Sequence, residues 1–240
     1  MFISIILPAL NESKKIREDI EAAAEFIEKN DFQGEIIVVD DGSSDDTADA
    51  ARTAEIPKDI SLQIIRYKTH RGKGYAVRAG VISAKGEYVM FADSGLCVPY
   101  DYVLTAIKIL QDENYDIAHG SRKLKDSKIV RQQPLIRRII AKIFRWIFIH
   151  WLNVPRELTD TQCGFKVYKG DIVRKLYTQC VTDGFLFDIE IILRAQKQNI
   201  RIIEFPIEWK IDPDSRLSVK RNSFDVLREL IALKRLLSKL

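Results

Sequence analysis

The chain alternates short runs of β-branched residues with segments that repeat apolar residues at helical spacing. The runs ISIIL, EIIVVDD, SLQIIRY, EYVMFAD and YDIAHGS predict five strands in the first half. Between the first two strands, Ile16, Ile20 and Ile27 would share one face of a helix. Because these apolar runs are separated by helices, they predict an α/β fold with a parallel sheet buried on both faces. In such folds, ligands bind at the carboxyl ends of the strands.

After Gly120 this alternation becomes weaker. GFKVY and IRIIEFPIEW predict further strands, and FDIEIILRAQKQN predicts a helix. Two basic amphipathic helices are predicted at about 139–152 and 224–240; the first suits a membrane interface and a buried core equally well. We therefore expect one domain over 1–218 and a C-terminal basic amphipathic helix within 219–240 that forms no separate domain.

Composition narrows the class of protein. Of the 240 residues, 46% are hydrophobic and 30% are charged, which is enough apolar material for a large core and argues against disorder. No apolar run approaches the ~18 residues of a membrane span, and the N-terminus reads as a strand rather than a signal segment. An odd number of cysteines without paired metal spacing favours a reduced, cytoplasmic environment. These cysteines are Cys97, Cys163 and Cys180.

Positive charge is concentrated between Arg122 and Arg145. This segment holds nine Lys or Arg residues and one acid, Asp126, so its net charge is +8 within a chain of net charge +4. Such clustering predicts an anionic partner, although a solvated surface would look the same. Nucleic acid is the least favoured partner, because the basic loop at the start of this segment lacks interleaved aromatic residues and no recognised binding motif is present.

Polar residues collect after the first four predicted strands, in PALNE, DDGSSDDT and THRGKGYA and at Asp93. Each cluster alone could be a capping turn, but four at one sheet edge indicate a ligand site. Asp40 and Asp41 could accept hydrogen bonds from a ribose or base, and Lys73 could meet a phosphate at a helix start. Asp93 could coordinate a divalent cation that bridges a diphosphate. Neither a P-loop nor a G-x-G-x-x-G fingerprint is present.

The ordered motifs ILPALNE, VVDDGSSDDT, RGKGYAVRAG and FADSG resemble family 2 glycosyltransferases, which have the GT-A fold, a Rossmann-like and mostly parallel sheet. GSRKL, QQPLIRR, TDTQCGFKVYKGD, GFLFDIEIILRA and IEFPIEW resemble the polyprenyl-phosphate branch of that family. They are most similar to the dolichyl-phosphate β-glucosyltransferases and somewhat less similar to the dolichyl-phosphate mannose synthases.

The resemblance assigns roles to particular positions. The donor nucleotide would be held by residues of the first four clusters: Pro8, Ala9, Asn11, Glu12, Asp40, Asp41, Lys73 and Asp93. Three arginines would grip the acceptor phosphate, for which bidentate guanidinium geometry is suited: Arg122, Arg137 and Arg216. Further residues would line the active side: Asp160, Gln162, Asp188 and Glu190. Asp93, Asp188 and Arg137 would be the catalytic residues, with Asp188 where relatives that use sugar acceptors place a base.

One position departs from the family pattern. The usual D-x-D motif is D-S-G here, so Gly95 replaces the second carboxylate. Asp93 would then be the single protein ligand of Mg²⁺ or Mn²⁺, with water and the donor diphosphate completing the shell.

The resemblance implies an inverting enzyme that moves a hexose, by best fit glucose from UDP-glucose, to a polyprenyl or dolichyl phosphate. A phosphate monoester has a second pKa near ~6, so it is already a nucleophile at neutral pH. The alternatives are a mannosyltransferase that uses GDP-mannose, an enzyme with a saccharide or protein acceptor and Asp188 as base, and a nucleotide-sugar-binding protein without catalysis. The lipid acceptor implies peripheral attachment to the cytoplasmic face of a membrane, alone or through a membrane-protein partner.

Overall fold

The computed structural model describes residues 1–130, 135–211 and 228–236, except for the side chains at positions 135 and 137. The strands are β1 (Phe2–Ala9), β2 (Gln33–Asp40), β3 (Ser61–Arg66), β4 (Tyr88–Ala92), β5 (Ile117–Ser121), β6 (Lys128–Ile129), β7 (Phe165–Lys169), β8 (Ile202–Pro206) and β9 (Glu208–Trp209). The helices are α1 (Ile16–Lys29), α2 (Thr47–Arg52), α3 (Lys73–Ser83), α4 (Tyr102–Asp112), α5 (Leu135–Leu152), α6 (Gly170–Gln179) and α7 (Phe187–Lys197). A further helix, α8, covers the described residues 228–236.

Seven strands form the central sheet in the order β3-β2-β1-β4-β7-β5-β8, and β6 pairs with β9 in a small second sheet. Every pairing in the central sheet is parallel except those of β7, which runs antiparallel between β4 and β5. The predicted α/β fold with a mostly parallel sheet is therefore confirmed. The chain leaves β1 toward β2 on one side and reaches β4 on the other, which opens a crevice at their carboxyl ends.

Two parts of the fold differ from the sequence-based expectation. The run IRIIEFPIEW is not one strand, because β8 ends at Pro206 and β9 pairs with β6 instead. Helices α4 and α6 were not predicted, and the apolar pattern of GFKVY did not reveal that β7 is antiparallel. A buried strand is apolar on both faces whichever way it runs, so its direction is set by the connections and not by its composition.

Apolar residues pack on both faces of the sheet, with α1 and α4 on one face and α3, α6 and α7 on the other. A third apolar cluster joins α5, α7 and α8, and it buries Phe148, Leu152, Leu193, Leu230 and Leu233. The three cysteines are free thiols in this structure.

Helix α5 combines the two alternatives that its sequence left open. Phe148 and Leu152 are buried in the third cluster, which is the behaviour of a core helix. Residues on another face of the same helix are more than half exposed: Ile136, Ile139, Ile143 and Trp146. We call these four residues the exposed α5 stripe. Among the described residues, no helix combines the length and the apolar character that a membrane crossing requires.

Helix α8 packs against the domain. Leu230 and Leu233 are buried, Glu229 accepts a hydrogen bond from the Leu186 amide at 3.1 Å, and Lys234 donates to the Trp151 carbonyl at 2.5 Å. Deleting the C-terminal segment would therefore uncover apolar surface of α5 and α7 as well as remove basic charge. The predicted boundary at 218/219 lies outside the described residues.

Candidate active site

The first two polar clusters are joined by hydrogen bonds at the carboxyl ends of β1 and β2. The Asp41 amide donates to the carbonyl of Ala9, the residue after Pro8, at 2.9 Å. Asn11 has a left-handed backbone with φ 55°, and its side-chain oxygen accepts a hydrogen bond from the Ser44 amide at 2.7 Å. The Glu12 amide donates to Thr47 Oγ1 at 2.8 Å. The predicted donor residues of these clusters therefore form one connected loop structure.

Asp41 accepts hydrogen bonds from the protein through both oxygens, whereas the buried Asp40 Oδ2 accepts none from the residues that the structure describes. Asp40 is fully buried, accepts a hydrogen bond from the Ser43 amide at 2.8 Å and lies 3.3 Å from Arg66 Nε. Asp41 accepts from the amides of Arg71 and Gly72, both at 2.8 Å. Their predicted contact with a nucleoside remains a prediction; in this structure they shape the loops around the crevice.

The glycines beside Lys73 allow a close approach between two parts of the chain. Gly72 has φ 122°, and a Cβ there would lie 2.3 Å from the Asp183 carbonyl oxygen. A Cβ at Gly74 would lie 2.6 Å from Phe187 Cβ. These glycines therefore allow the start of α3 to pack closely against the chain before α7. This packing fixes Lys73 at the first position of α3.

Two lysine–aspartate pairs flank the ring of Phe91. Lys73 Nζ lies 2.5 Å from Asp93 Oδ1, and the Lys166 ammonium forms an ion pair with Asp188. The two ammonium nitrogens lie 5.7 and 5.3 Å from the centre of the Phe91 ring. The Asp93 side chain is 42% exposed, whereas those of Lys166 and Asp188 are 1% and 5% exposed. The cluster is thus open to solvent at Asp93 and closed at Asp188.

The electrostatics of the cluster follow from this geometry. Burial acts to lower the pKa of Lys73, but Asp93 and Asp188 outweigh it, so the pKa is raised and the ammonium stays charged. Burial raises the pKa of Asp188, and Lys166 and Lys73 oppose this shift only in part. Asp188 is nonetheless buried in an ion pair with Lys166, which is a poor starting point for a general base that must reach a sugar hydroxyl.

The turn after β4 holds Asp93 in place. The Asp93 amide donates to the Gly164 carbonyl at 2.9 Å, and a Cβ at Gly164 would lie 1.9 Å from Asp93 Oδ2. Gly95 and Leu96 both have positive φ, 93° and 48°. The Asp19 carboxylate accepts hydrogen bonds from their amides at 2.9 and 3.2 Å and from the Ser94 hydroxyl. The motif is thus stabilised by an acid from α1 rather than by a second acid of its own.

Asp19 was missed by the sequence analysis. Its side chain is buried, and burial raises its pKa despite these hydrogen bonds. A signal was present in the sequence, because Asp19 follows Ile16 by three residues and so falls on the apolar face of α1. A carboxylate at such a position must have a buried partner.

Arg122 and Asp160 form a second charged group. Arg122 Nε and Nη2 donate to Asp160 Oδ2 and Oδ1 at 2.6 and 2.7 Å, and the Arg122 guanidinium carbon lies 5.4 Å from the centre of the Trp209 ring. The Asp160 amide donates to Glu204 Oε1 at 2.6 Å. Burial would raise the pKa of Asp160, but Arg122 and Lys123 hold it below its usual value. Arg122 therefore already has a carboxylate partner, so an acceptor phosphate would have to share the Arg122 guanidinium with Asp160.

The other predicted residues separate into two groups. Gln162 lies at the surface and donates to the Phe185 carbonyl at 3.4 Å. Glu190 is fully buried, accepts hydrogen bonds from the amides of Val181 and Thr182 and pairs with Arg194, so its contacts are internal and not those of a lining residue. The Arg137 side chain and all of Arg216 lie outside the described residues.

The described residues contain no group of three or more His, Cys, Asp or Glu side chains placed to hold a metal ion. Asp93 nevertheless fits one kind of cation site. It is exposed at the crevice, and in this structure the Lys73 ammonium, 2.5 Å away, takes the place next to its carboxylate that a cation would take. Such a carboxylate suits a cation whose other ligands are water and a bound diphosphate.

Comparisons with known proteins address the family and the fold of the chain. The family model described as glycosyl transferase family 2 matches residues 4–177. The dolichyl-phosphate beta-glucosyltransferases of Dictyostelium discoideum and Saccharomyces cerevisiae are each 30% identical to the chain, in alignments that cover 98% of this chain and 74% of theirs.

Among solved structures, glucosyl-3-phosphoglycerate synthase from Mycobacterium tuberculosis, in complex with Mn²⁺, uridine diphosphate and phosphoglyceric acid, superposes with a TM-score of 0.71 at 18% identity. That superposition covers 97% of this chain and 78% of the other, and it confirms the GT-A fold. The chain belongs to glycosyl transferase family 2.

Proposed function

We propose that the protein transfers a hexose, glucose from UDP-glucose by preference, to the phosphate of a dolichyl or other polyprenyl lipid. The main support is similarity across 98% of the chain to dolichyl-phosphate beta-glucosyltransferases. The geometry adds a solvent-exposed carboxylate at Asp93 and a guanidinium at Arg122 that is close enough to interact electrostatically with it. Burial acts to lower the pKa of Arg122, but Asp160 and, more weakly, Asp93 raise it.

In the proposed reaction, an oxygen of the lipid phosphate attacks the anomeric carbon, and the bond from that carbon to the nucleotide diphosphate breaks with inversion. The phosphate needs no base to remove a proton at neutral pH, since its second pKa is near ~6. This suits a site in which Asp188 is buried against Lys166. The same pairing is the observation that favours a phosphate acceptor over a saccharide acceptor.

The proposal includes a divalent cation, Mg²⁺ or Mn²⁺, held by Asp93, which would supply positive charge to the departing diphosphate. Lys73 lies beside Asp93 and is the protein cation nearest to that position among the described contacts. Arg122, with Arg137 and Arg216, would bind the acceptor phosphate.

A direct test combines the purified protein with labelled UDP-glucose or GDP-mannose and with dolichyl phosphate, free sugars or no acceptor. We expect label in the lipid fraction, with UDP-glucose as the better donor. If the lipid is labelled only from GDP-mannose, the transferred hexose is mannose and not glucose. Label on free sugars but not on lipid would overturn the acceptor assignment.

We also propose that the protein docks peripherally on the cytoplasmic face of a membrane, where its lipid acceptor would be found, with a membrane-protein partner as the alternative mode of attachment. The exposed α5 stripe supplies apolar contact, and the neighbouring residues Arg138 and Lys142 are exposed and basic. Amphipathic helices of this kind lie in the headgroup region, and each basic residue near an anionic surface adds about 1 kcal/mol.

This docking predicts salt-sensitive binding to vesicles. The double variant Ile139→Ser/Ile143→Ser should bind phosphatidylserine-containing liposomes about tenfold more weakly than the wild type, because it removes apolar contact from the stripe. Ile82→Ser/Val181→Ser is the matched control, since both residues are about half exposed elsewhere. Flotation should also show release at high salt. Equal binding by both double variants would place the membrane contact elsewhere.

A second variant tests the acceptor arginines. Arg137→Ala should lower transfer at least about 30-fold in detergent, since losing a paired charge costs ~2 kcal/mol or more, while nucleotide affinity stays near normal. Arg137→Lys should rescue only part of the rate, because lysine lacks the bidentate fork. Arg138→Ala, one position away and exposed, is the control. If Arg137→Ala loses nucleotide affinity to the same extent as transfer, Arg137 belongs to the donor side.

A further inference from the structure

Lys73 occupies the position at which a cation would meet Asp93. Its ammonium is 2.5 Å from Asp93 Oδ1, and the backbone on either side of it is packed against the 182–187 segment through Gly72 and Gly74. The Gly74 amide also donates to the Gly184 carbonyl at 3.2 Å. These contacts hold the backbone at the start of α3, so the Lys73 ammonium can leave Asp93 only by movement of its own side chain.

The charges around Phe91 balance without any ligand. Lys73 and Lys166 carry two positive charges, and Asp93 and Asp188 carry two negative charges. The family motif would normally add a second acid, but this chain has Gly95 at that position. Gly95 adopts a φ of 93°, which the turn after β4 requires. A divalent cation that arrived alone would meet a carboxylate already neutralised and would be repelled by an ammonium a few ångströms away.

We propose that Lys73 is a resident counter-charge that a divalent cation must displace from Asp93, and that the donor diphosphate supplies the negative charge that makes this displacement favourable. The diphosphate can accept the released Lys73 ammonium and the cation together. Metal and nucleotide then bind cooperatively, so the two ligands enter the site together and the metal does not bind first on its own. This inference rests on the proposed function for its donor class, but its test requires no transfer reaction.

The test measures Mn²⁺ affinity by calorimetry on the full chain, with and without UDP. Without UDP, Lys73→Met should bind Mn²⁺ about tenfold more tightly than the wild type, because a like charge a few ångströms from the ion is gone. Lys73→Gln is the second neutral variant, in case the first does not fold. Lys73→Arg keeps the charge and should bind Mn²⁺ as weakly as the wild type. Lys68→Met removes an exposed charge beyond β3 and should leave the Mn²⁺ affinity unchanged.

The coupling to nucleotide gives an independent reading. UDP should strengthen Mn²⁺ binding more in the wild type than in Lys73→Met, and Asp93→Asn should remove the effect of Lys73→Met. Unchanged Mn²⁺ affinity in both neutral variants, or equal tightening in Lys68→Met, would overturn the inference. A protein that shows the expected metal affinities but transfers no sugar would refute the proposed function and leave the inference standing.

Discussion

Asp93→Asn should lower the rate of hexose transfer by about 10²–10³-fold, the loss typical of removing one charge-stabilising group from an active site. The Asp93 side chain is open to the crevice and is fixed by the β4 turn, where its amide donates to Gly164. Asparagine preserves the shape but removes the charge that would hold a cation at the departing diphosphate. Initial rates with UDP-glucose and dolichyl phosphate, at saturating Mg²⁺ or Mn²⁺, measure the effect.

The control for this variant is Asp112→Asn, which removes an exposed carboxylate at the end of α4 and should leave the rate unchanged. Gly95→Asp is not the converse experiment that the family motif suggests. Gly95 has φ 93° and gives its amide to Asp19, so an aspartate there would strain the turn that presents Asp93. Full activity in chelator, or an unaltered metal response in Asp93→Asn, would make Asp93 a structural residue of the turn.

The position of the site could be predicted from the sequence, because it depends on features that are local along the chain. Each apolar run ends in a polar cluster, and parallel strands bring those ends to one edge of the sheet. The sequence placed Asp93 at this edge in this way, because it follows the buried strand β4. The partners of these residues could not be predicted, because they come from distant parts of the chain.

The pair between Lys166 and Asp188 illustrates this limit. Lys166 faces the cluster because β7 runs antiparallel to β4 and places it opposite Phe91. The direction of β7 was not readable from GFKVY, so the lysine could not be assigned to the site. In the same way, a motif identifies Asp41 and Glu190 as acids near the crevice, but only their hydrogen bonds reveal that their oxygens are used internally.

Breaking this buried pair should have the largest effect on stability. Asp188→Asn or Lys166→Met would each leave a buried charge without its partner, which costs about 3–5 kcal/mol of the free energy of unfolding. The double variant Lys166→Met/Asp188→Leu should recover most of that loss, because it removes both charges from the interior. Asp171→Asn breaks an exposed pair with Arg174 and should cost less than ~1 kcal/mol. Urea unfolding measures all four variants.

The same variants separate the two acceptor hypotheses. If the lipid phosphate is the nucleophile, the folded fraction of Asp188→Asn and the double variant should retain measurable transfer, since no hydroxyl proton has to be removed. If a sugar hydroxyl is the nucleophile, folded protein that still binds both substrates should lose about 10²–10⁴-fold in rate, as expected when a general base is removed. A Lys166→Met variant as stable as the wild type would contradict the buried pair itself, and Asp188 would then regain its candidacy as a base.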